Sequence, residues 1–198
     1  MKRKDFLKLS SASVFLAGLK SHGINLSDLN YNYLENNSQY MGDFIAPKLD
    51  VVKVAFIGVG ARGSGHAKQI AAIEGTEVVA ISDLYEDLAK KSYEICKEIG
   101  NNNRHRNIAI YYGGENKWRT MLKEVKPDAV FISTNWDNHA PMAIETMKNG
   151  AHAFVEVPMA TTIEDLWKIV NTSEKTRKHC MMMENVNYGR DELMYLNM

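Results

Sequence analysis

The sequence predicts an α/β fold, a Rossmann-type doubly wound parallel sheet, and three observations predict it. An apolar, β-branched run, Val51-Val52-Lys53-Val54-Ala55-Phe56-Ile57, opens directly into Gly58-Val59-Gly60-Ala61-Arg62-Gly63, the spacing G-x-G-x-x-G. A second strand-like run, Glu77-Val78-Val79-Ala80-Ile81-Ser82, ends on Asp83, about 20 residues past the glycines, where a dinucleotide fold keeps its ribose-binding acid. From there onward strand-like and helix-like stretches alternate, as in successive βαβ units.

Composition sets the bounds. A chain of 198 residues builds one core and part of a second. Hydrophobic content of 45% and charged content of 24% are those of an ordinary globular protein. A net charge of zero argues against a nucleic-acid partner. Two cysteines make no disulfide framework; Cys96 is expected buried on a helix and Cys180 buried on a strand. The six histidines show no metal-ligand spacing, so no metal site is expected.

Residues 1–23 read as a leader. Lys2, Arg3 and Lys4 precede a short apolar stretch, Phe6 to Leu19, too short to span a bilayer. The run Lys2-Arg3-Lys4-Asp5-Phe6-Leu7-Lys8 resembles a twin-arginine export signal with Lys2 in place of the first arginine. No Cys for a lipid anchor and no A-x-A cleavage site follow it. The expectation is an exported, periplasmic protein; the alternative is an amphipathic N-terminal helix on a cytoplasmic one. Residues 24–50, rich in Asn, Ser, Asp and Tyr, read as a linker or surface arm whose Tyr31, Tyr33 and Tyr40 pack on the body or a partner.

Residues 51–198 read as the dinucleotide-binding domain. Gly58 permits the tight turn after the first strand, Gly60 lets backbone approach a pyrophosphate, and Gly63 lets helix and strand pack closely. The helix expected over His66 to Ile73 points its N-terminal N–H groups at that phosphate. Asp83 hydrogen-bonds a ribose 2′-OH and repels a 2′-phosphate, favouring NAD over NADP. The alternative is an ordinary βαβ turn with a surface Asp.

The next helix, Leu84 to Ile99, carries Leu84, Leu88, Ile95 and Ile99 at helical spacing and stops at Gly100. A polar loop covers residues 101–107. A strand (Ile108 to Tyr112), a helix (Trp118 to Val125, ended before Pro127) and a strand (Asp128 to Thr134) follow. Ala140 to Lys148 reads as a helix closed by Gly150, and His152 to Val157 as a strand. Thr162 caps a helix running to His179, with Asp165 completing a capping-box-like pattern. Cys180 to Val186 reads as a strand whose Met181-Met182-Met183 belongs to the core, and a last helix starts at Arg190.

Ligands of such sheets sit beyond the carboxyl ends of the strands. Those ends carry Thr134-Asn135-Trp136-Asp137-Asn138-His139, Glu156-Val157-Pro158 and Glu184-Asn185-Val186-Asn187-Tyr188. Trp136 is placed to cover a cofactor. His139, opening a helix, is a ligand contact or a mere cap; Glu156 is a contact or a satisfied strand-end carboxylate; Asn185 bonds a nicotinamide ribose or loop backbone.

At these residues the chain resembles the Gfo/Idh/MocA oxidoreductase superfamily, from about Lys53 to Met198. In its ordinary dehydrogenases this strand end reads Glu-Lys-Pro, and the lysine helps proton transfer. Val157 neither holds nor relays a proton, which argues against an NAD(P)-dependent sugar dehydrogenase of the usual kind. The glycine loop through His66, Trp136 to His139, Glu156-Val157-Pro158, Met181 to Asn185 and Glu192-Leu193-Met194-Tyr195-Leu196-Asn197-Met198 together are similar to glycoside hydrolase family 109, which contains NAD-dependent α-N-acetylgalactosaminidases.

The resemblance implies NAD contacts from Ala61, Arg62, Asp83, Trp136, Asp137, Asn138, His139, Glu156, Val157 and Asn185, beside Gly58, Gly60 and Gly63 of the glycine loop. It implies a substrate bearing terminal N-acetylgalactosamine. The implied reaction takes a hydride from C3 of the sugar, removes the acidified C2 proton, eliminates the C1 leaving group, adds water and returns the hydride, an exception to the usual carboxylate pair. It further implies a second α/β substrate domain supplying the base beyond Met198, so no catalytic residue is named here. A non-catalytic NAD-binding module is the third reading, and a homo-oligomer is left open.

Overall fold

The computed structural model describes residues 40–99, 105, 107–186 and 189–196. The leader with Lys2, Arg3 and Lys4, the tyrosines Tyr31 and Tyr33, the helix stop at Gly100, most of the 101–107 loop, and Asn187 and Tyr188 lie outside the described residues.

Six strands form one sheet: β1 (Val52–Ile57), β2 (Thr76–Ser82), β3 (Ala109–Tyr111), β4 (Ala129–Ile132), β5 (His152–Val155) and β6 (Cys180–Met182), in the order β3-β2-β1-β4-β5-β6. Every neighbouring pair is parallel. Among the described residues, six helices accompany them: α1 (Ala61–Ala71), α2 (Glu86–Ile99), α3 (Lys117–Val125), α4 (Trp136–Lys148), α5 (Ile163–Thr176) and α6 (Arg190–Leu196).

Side chains of a strand alternate between faces, and both faces of the central strands are covered, which is why these strands read as continuous apolar runs. Val54 and Phe56 of β1, with Val78 and Ile81 of β2, pack against Ala67 and Ala71 of α1 and Ala89 and Cys96 of α2. Ala55 and Ile57 face the other way, onto a core with Trp118, Met121 and Leu122 of α3, Ala143 and Met147 of α4 and Ile169 of α5. The buried residues of α1 are Gly63, Ala67 and Ala71, small side chains that suit close packing on the sheet.

Several boundaries differ from the expected ones. α1 starts at Ala61 rather than His66. Gly63, Ser64 and Gly65 are poor helix formers, and packing on β1 overrides their propensity. α4 starts at Trp136 rather than Ala140; polar residues and the internal Pro141 disguise its first turns. His139 therefore does not open a helix but lies inside one. α5 ends at Thr176, where Arg177 takes a left-handed φ of 55°, so it stops short of His179. Its N-terminus is built as the sequence predicts: Thr162 Oγ1 accepts the Asp165 N–H at 3.1 Å and donates to Asp165 Oδ2 at 2.9 Å.

β6 has three residues, not seven, and it is the edge strand. Met181 and Met182 are exposed there rather than in the core, as an edge strand has a neighbour on one side only. Cys96 is buried on α2, while Cys180 is only partly buried on β6. Burial pushes the Cys96 thiol up to about 11 and the Cys180 thiol to about 12.

Residues 40–50 run over the opposite end of the sheet from the glycine loop. The Phe44 ring lies between the Arg177 guanidinium, 4.4 Å from its centroid, and the His179 ring at 5.1 Å. Tyr40 itself is exposed.

Candidate functional site

The site begins where β1 ends. Gly58 takes φ +81°, and a Cβ there would stand 2.5 Å from the Ser133 carbonyl oxygen. Only glycine fits both constraints. At Gly63 a Cβ would meet the Gly58 carbonyl oxygen, so the first turn of α1 rests directly on the loop. At Gly60 a Cβ would meet nothing within 4 Å, leaving the backbone open to the cleft. The first turn of α1 has no acidic residue and no side-chain cap. Its leading N–H groups, which have no intrahelical acceptor, are left open to water or a ligand.

Asp83 does more than the sequence predicts. Its Oδ2 accepts the Val59 N–H at 2.7 Å, and its Oδ1 accepts the Tyr85 N–H at 3.0 Å. One carboxylate thus fastens the glycine loop to the turn after β2. Each oxygen keeps a lone pair for a further donor.

Between β1 and β4 the chain crosses from one face of the sheet to the other, the place where open α/β sheets form their crevice. A cleft of about 540 Å³ lies there, lined by Gly58, Gly60 and Asp83 and by Tyr85, Asn116, Arg119, Ser133 and Asn138. Ser133 Oγ is buried without a partner and belongs to that lining. The Arg119 guanidinium lies 4.3 Å from the Trp118 ring centroid and donates to Asn116 Oδ1.

Further along the edge, α4 brings Trp136 to the surface, 64% exposed, with Asp137 also exposed. His139 is buried. Its Nδ1 lies 2.7 Å from the Pro158 carbonyl oxygen and its Nε2 3.0 Å from that of Thr134. The ring thus ties α4 to the turns after β4 and β5, and its side chain is not exposed to the cleft. Asn185 sits exposed in the turn after β6.

Glu156, at the end of β5, meets residues 90 or more positions away. Its Oε1 accepts from His66 Nε2 at 2.6 Å and from Arg62 Nε at 3.3 Å, and its Oε2 accepts the Val157 N–H at 3.2 Å. Burial pushes this carboxyl up, but the hydrogen bonds from His66 and Val157 and the Arg62 charge outweigh it and hold the group below its ordinary value. Val157 is followed by a cis peptide bond to Pro158.

The expected residues therefore fall along the carboxyl edge, from Asp83 to Asn185, but they do not converge on one cavity. Gly58, Gly60, Asp83 and Asn138 line the cleft; Arg62 and Glu156 form a separate charged cluster beside α1. Sequence reasoning missed His66, Arg119, Asn116 and Ser133 as site residues. His66 follows Arg62 by four positions on one helix face, a signal readable only once α1 is known to start at Ala61.

Residues 52–184 match the Gfo/Idh/MocA family, described as an oxidoreductase family with an NAD-binding Rossmann fold. The chain is 59% identical to glycosyl hydrolase family 109 protein 1 of Akkermansia muciniphila, over 80% of this chain and 32% of that protein. It is 44% identical to the alpha-N-acetylgalactosaminidase of Shewanella oneidensis, over 99% of this chain and 42% of that protein. It thus spans well under half the length of these relatives. Among solved structures, scyllo-inositol dehydrogenase from Lactobacillus casei, with bound NAD(H) and scyllo-inositol, shares the fold with a TM-score of 0.62 at 18% identity, over 74% of this chain and 40% of that one. An NAD-binding protein from Listeria innocua gives a TM-score of 0.60 at 27% identity, over 73% and 38%. The uncapped helix start, the open backbone at Gly60 and the match over residues 52–184 lead to one conclusion: the chain belongs to the Gfo/Idh/MocA oxidoreductase family and carries its NAD-binding Rossmann fold.

Proposed function

We propose that this chain is the NAD-holding part of a glycosidase that releases terminal α-N-acetylgalactosamine from glycans or glycosides. The observation that carries the reading is the strand end Glu156-Val157-Pro158. A dehydrogenase of this family type needs a proton carrier beside the reacting carbon, and Val157 offers only an aliphatic side chain. The relatives named glycosyl hydrolase family 109 and alpha-N-acetylgalactosaminidase support the same reading.

The residues present fit NAD. Gly58, Gly60 and the first-turn N–H groups of Ala61, Arg62 and Gly63 would hold the diphosphate, with open space at Gly60 and no side-chain cap on the helix start. The free lone pairs of Asp83 accept from ribose hydroxyls, and its charge rejects a 2′-phosphate, selecting NAD over NADP. Trp136, Asp137, Asn138, His139, Glu156, Val157 and Asn185, at the strand ends along the carboxyl edge, would hold the nicotinamide half. When bound, NAD supplies a hydride acceptor that becomes the donor again within one cycle, so oxidation at the sugar C3 is transient. This chain's own residues bind and orient; none of them is assigned the base. The same reading puts the protein in the periplasm, delivered by residues 1–23.

The test is made on the protein in its full natural length. It should release the aryl group from an aryl α-N-acetylgalactosaminide without accumulating NADH. Stoichiometric NADH with no aryl release would instead establish a sugar dehydrogenase and overturn the proposal.

A further inference from the structure

Glu156 presents one oxygen, Oε1, to two donors at once. His66 Nε2 is close, at 2.6 Å, and Arg62 Nε is distant, at 3.3 Å. The Glu156 side chain is 8% exposed and that of Arg62 61%. A carboxylate so far removed from water needs its partners, because losing one leaves buried charge uncompensated. His66 supplies the shorter of the two side-chain contacts to that oxygen. The guanidinium is then held to Glu156 by one long bond through Nε, on a side chain that is mostly exposed at the start of α1. Five N–H donors in a rigid fork suit phosphate oxygens well.

We infer that His66 is a positioning residue that keeps Arg62 available to a diphosphate, by satisfying the Glu156 oxygen that would otherwise draw the guanidinium inward. This rests on the reading above that the glycine loop holds a dinucleotide. Without His66, Arg62 is the one remaining side-chain donor to Glu156 Oε1 among the described contacts. It then closes on the carboxylate and turns from the helix start. His66 and Arg62 thus act in sequence on the same oxygen, although only Arg62 touches the ligand.

Calorimetric titration of the chain with NAD, ADP and adenosine tests this. ADP carries the diphosphate and adenosine does not. His66→Ala should weaken ADP and NAD about tenfold, the scale of one charge-assisted hydrogen bond, and leave adenosine unchanged. His66→Gln, whose amide can donate to the same oxygen, should keep ADP affinity near that of the unaltered protein. Adding Glu156→Gln to His66→Ala should restore ADP binding, because the competing charge is gone; Arg62→Gln should abolish that recovery. Equal losses for ADP and adenosine, or no recovery in the double variant, would show a merely structural role and overturn the inference. Failure of the unaltered chain to bind NAD or ADP would overturn the cofactor reading itself, and this inference with it.

Discussion

Two glycines two residues apart should respond to the same substitution in opposite ways. At Gly58 the φ of +81° costs an alanine roughly 1–2 kcal/mol. The added Cβ also meets the Ser133 carbonyl oxygen at 2.5 Å and Thr134 Cγ2 at 2.8 Å. Ser133 is held by its own N–H on the Ile57 carbonyl at 2.9 Å, so it cannot retreat freely. Overpacking of this kind adds about 1–3 kcal/mol. Gly58→Ala should therefore destabilise by about 2–5 kcal/mol, lowering Tm by roughly 4–20 °C in a chain of this size. At Gly60 φ is −67° and the Cβ position is open. Gly60→Ala should change stability by no more than about 0.5 kcal/mol. Its methyl group would occupy the space a diphosphate needs, so NAD affinity should fall tenfold or more, about 1.4 kcal/mol. Thermal denaturation and calorimetric titration on both variants separate the effects. If Gly60→Ala melts as early as Gly58→Ala, or binds NAD with unchanged affinity, the assignment of the open backbone to the cofactor is wrong.

Other expectations follow from the same geometry. Asp83→Ala removes acceptors for Val59 and Tyr85 as well as a ribose partner, so NAD affinity should drop by about 1.5–3 kcal/mol in calorimetry while discrimination against NADP shrinks; equal affinity for NAD and NADP before substitution would refute the role. Glu156 has a folded value below its ordinary 4.5, so its contribution to stability is fully present above that value and is lost as pH falls through the lowered one. Glu156→Gln should flatten the acid limb of the stability profile below about pH 4.5 and leave its neutral slope alone; an unchanged acid limb would dismiss the cluster as a stabilising one. A folded reporter carrying residues 1–23 should leave the cytoplasm, and Arg3→Ala should retain it; cytoplasmic retention with Arg3 intact would end the export proposal.

The sequence revealed what residue type alone dictates. The β1 run, Gly58, Gly63 and Asp83 are constrained by the packing and hydrogen bonding of the loop, so their identities announce their places. The Thr162–Asp165 cap is local and was equally readable. The start of α1 is not so readable, because Gly63, Ser64 and Gly65 within its first turns are poor helix formers that packing on β1 overrides. That error hid His66, whose partner Glu156 lies 90 residues away and leaves no periodic trace. For His139 the spacing leaves a ligand contact and a cap both open; the contacts of its ring with the Pro158 and Thr134 carbonyls come from two other turns, which no spacing encodes. The exposure of Met181 and Met182 is not legible in the sequence, since hydrophobicity reports a preference for burial, not whether a neighbour exists to provide it.

The strand order has a consequence during synthesis. β1 is flanked by β2 on one side and by β4 on the other, and the β4 partner lies 75 residues downstream, as in the bond from the Lys53 N–H to Asp128. At about 5–20 residues per second, β1 waits roughly 4–15 seconds on the ribosome with one edge unpaired. Its exposed run is Val-Lys-Val-Ala-Phe-Ile, rich in β-formers and carrying a single charge, the composition that recruits strands from other chains. Lys53 interrupts that run at its second position, the gatekeeper role a charge plays beside an unavoidable apolar strand. Replacing it with an apolar residue would leave the finished sheet almost unaltered and expose the nascent chain.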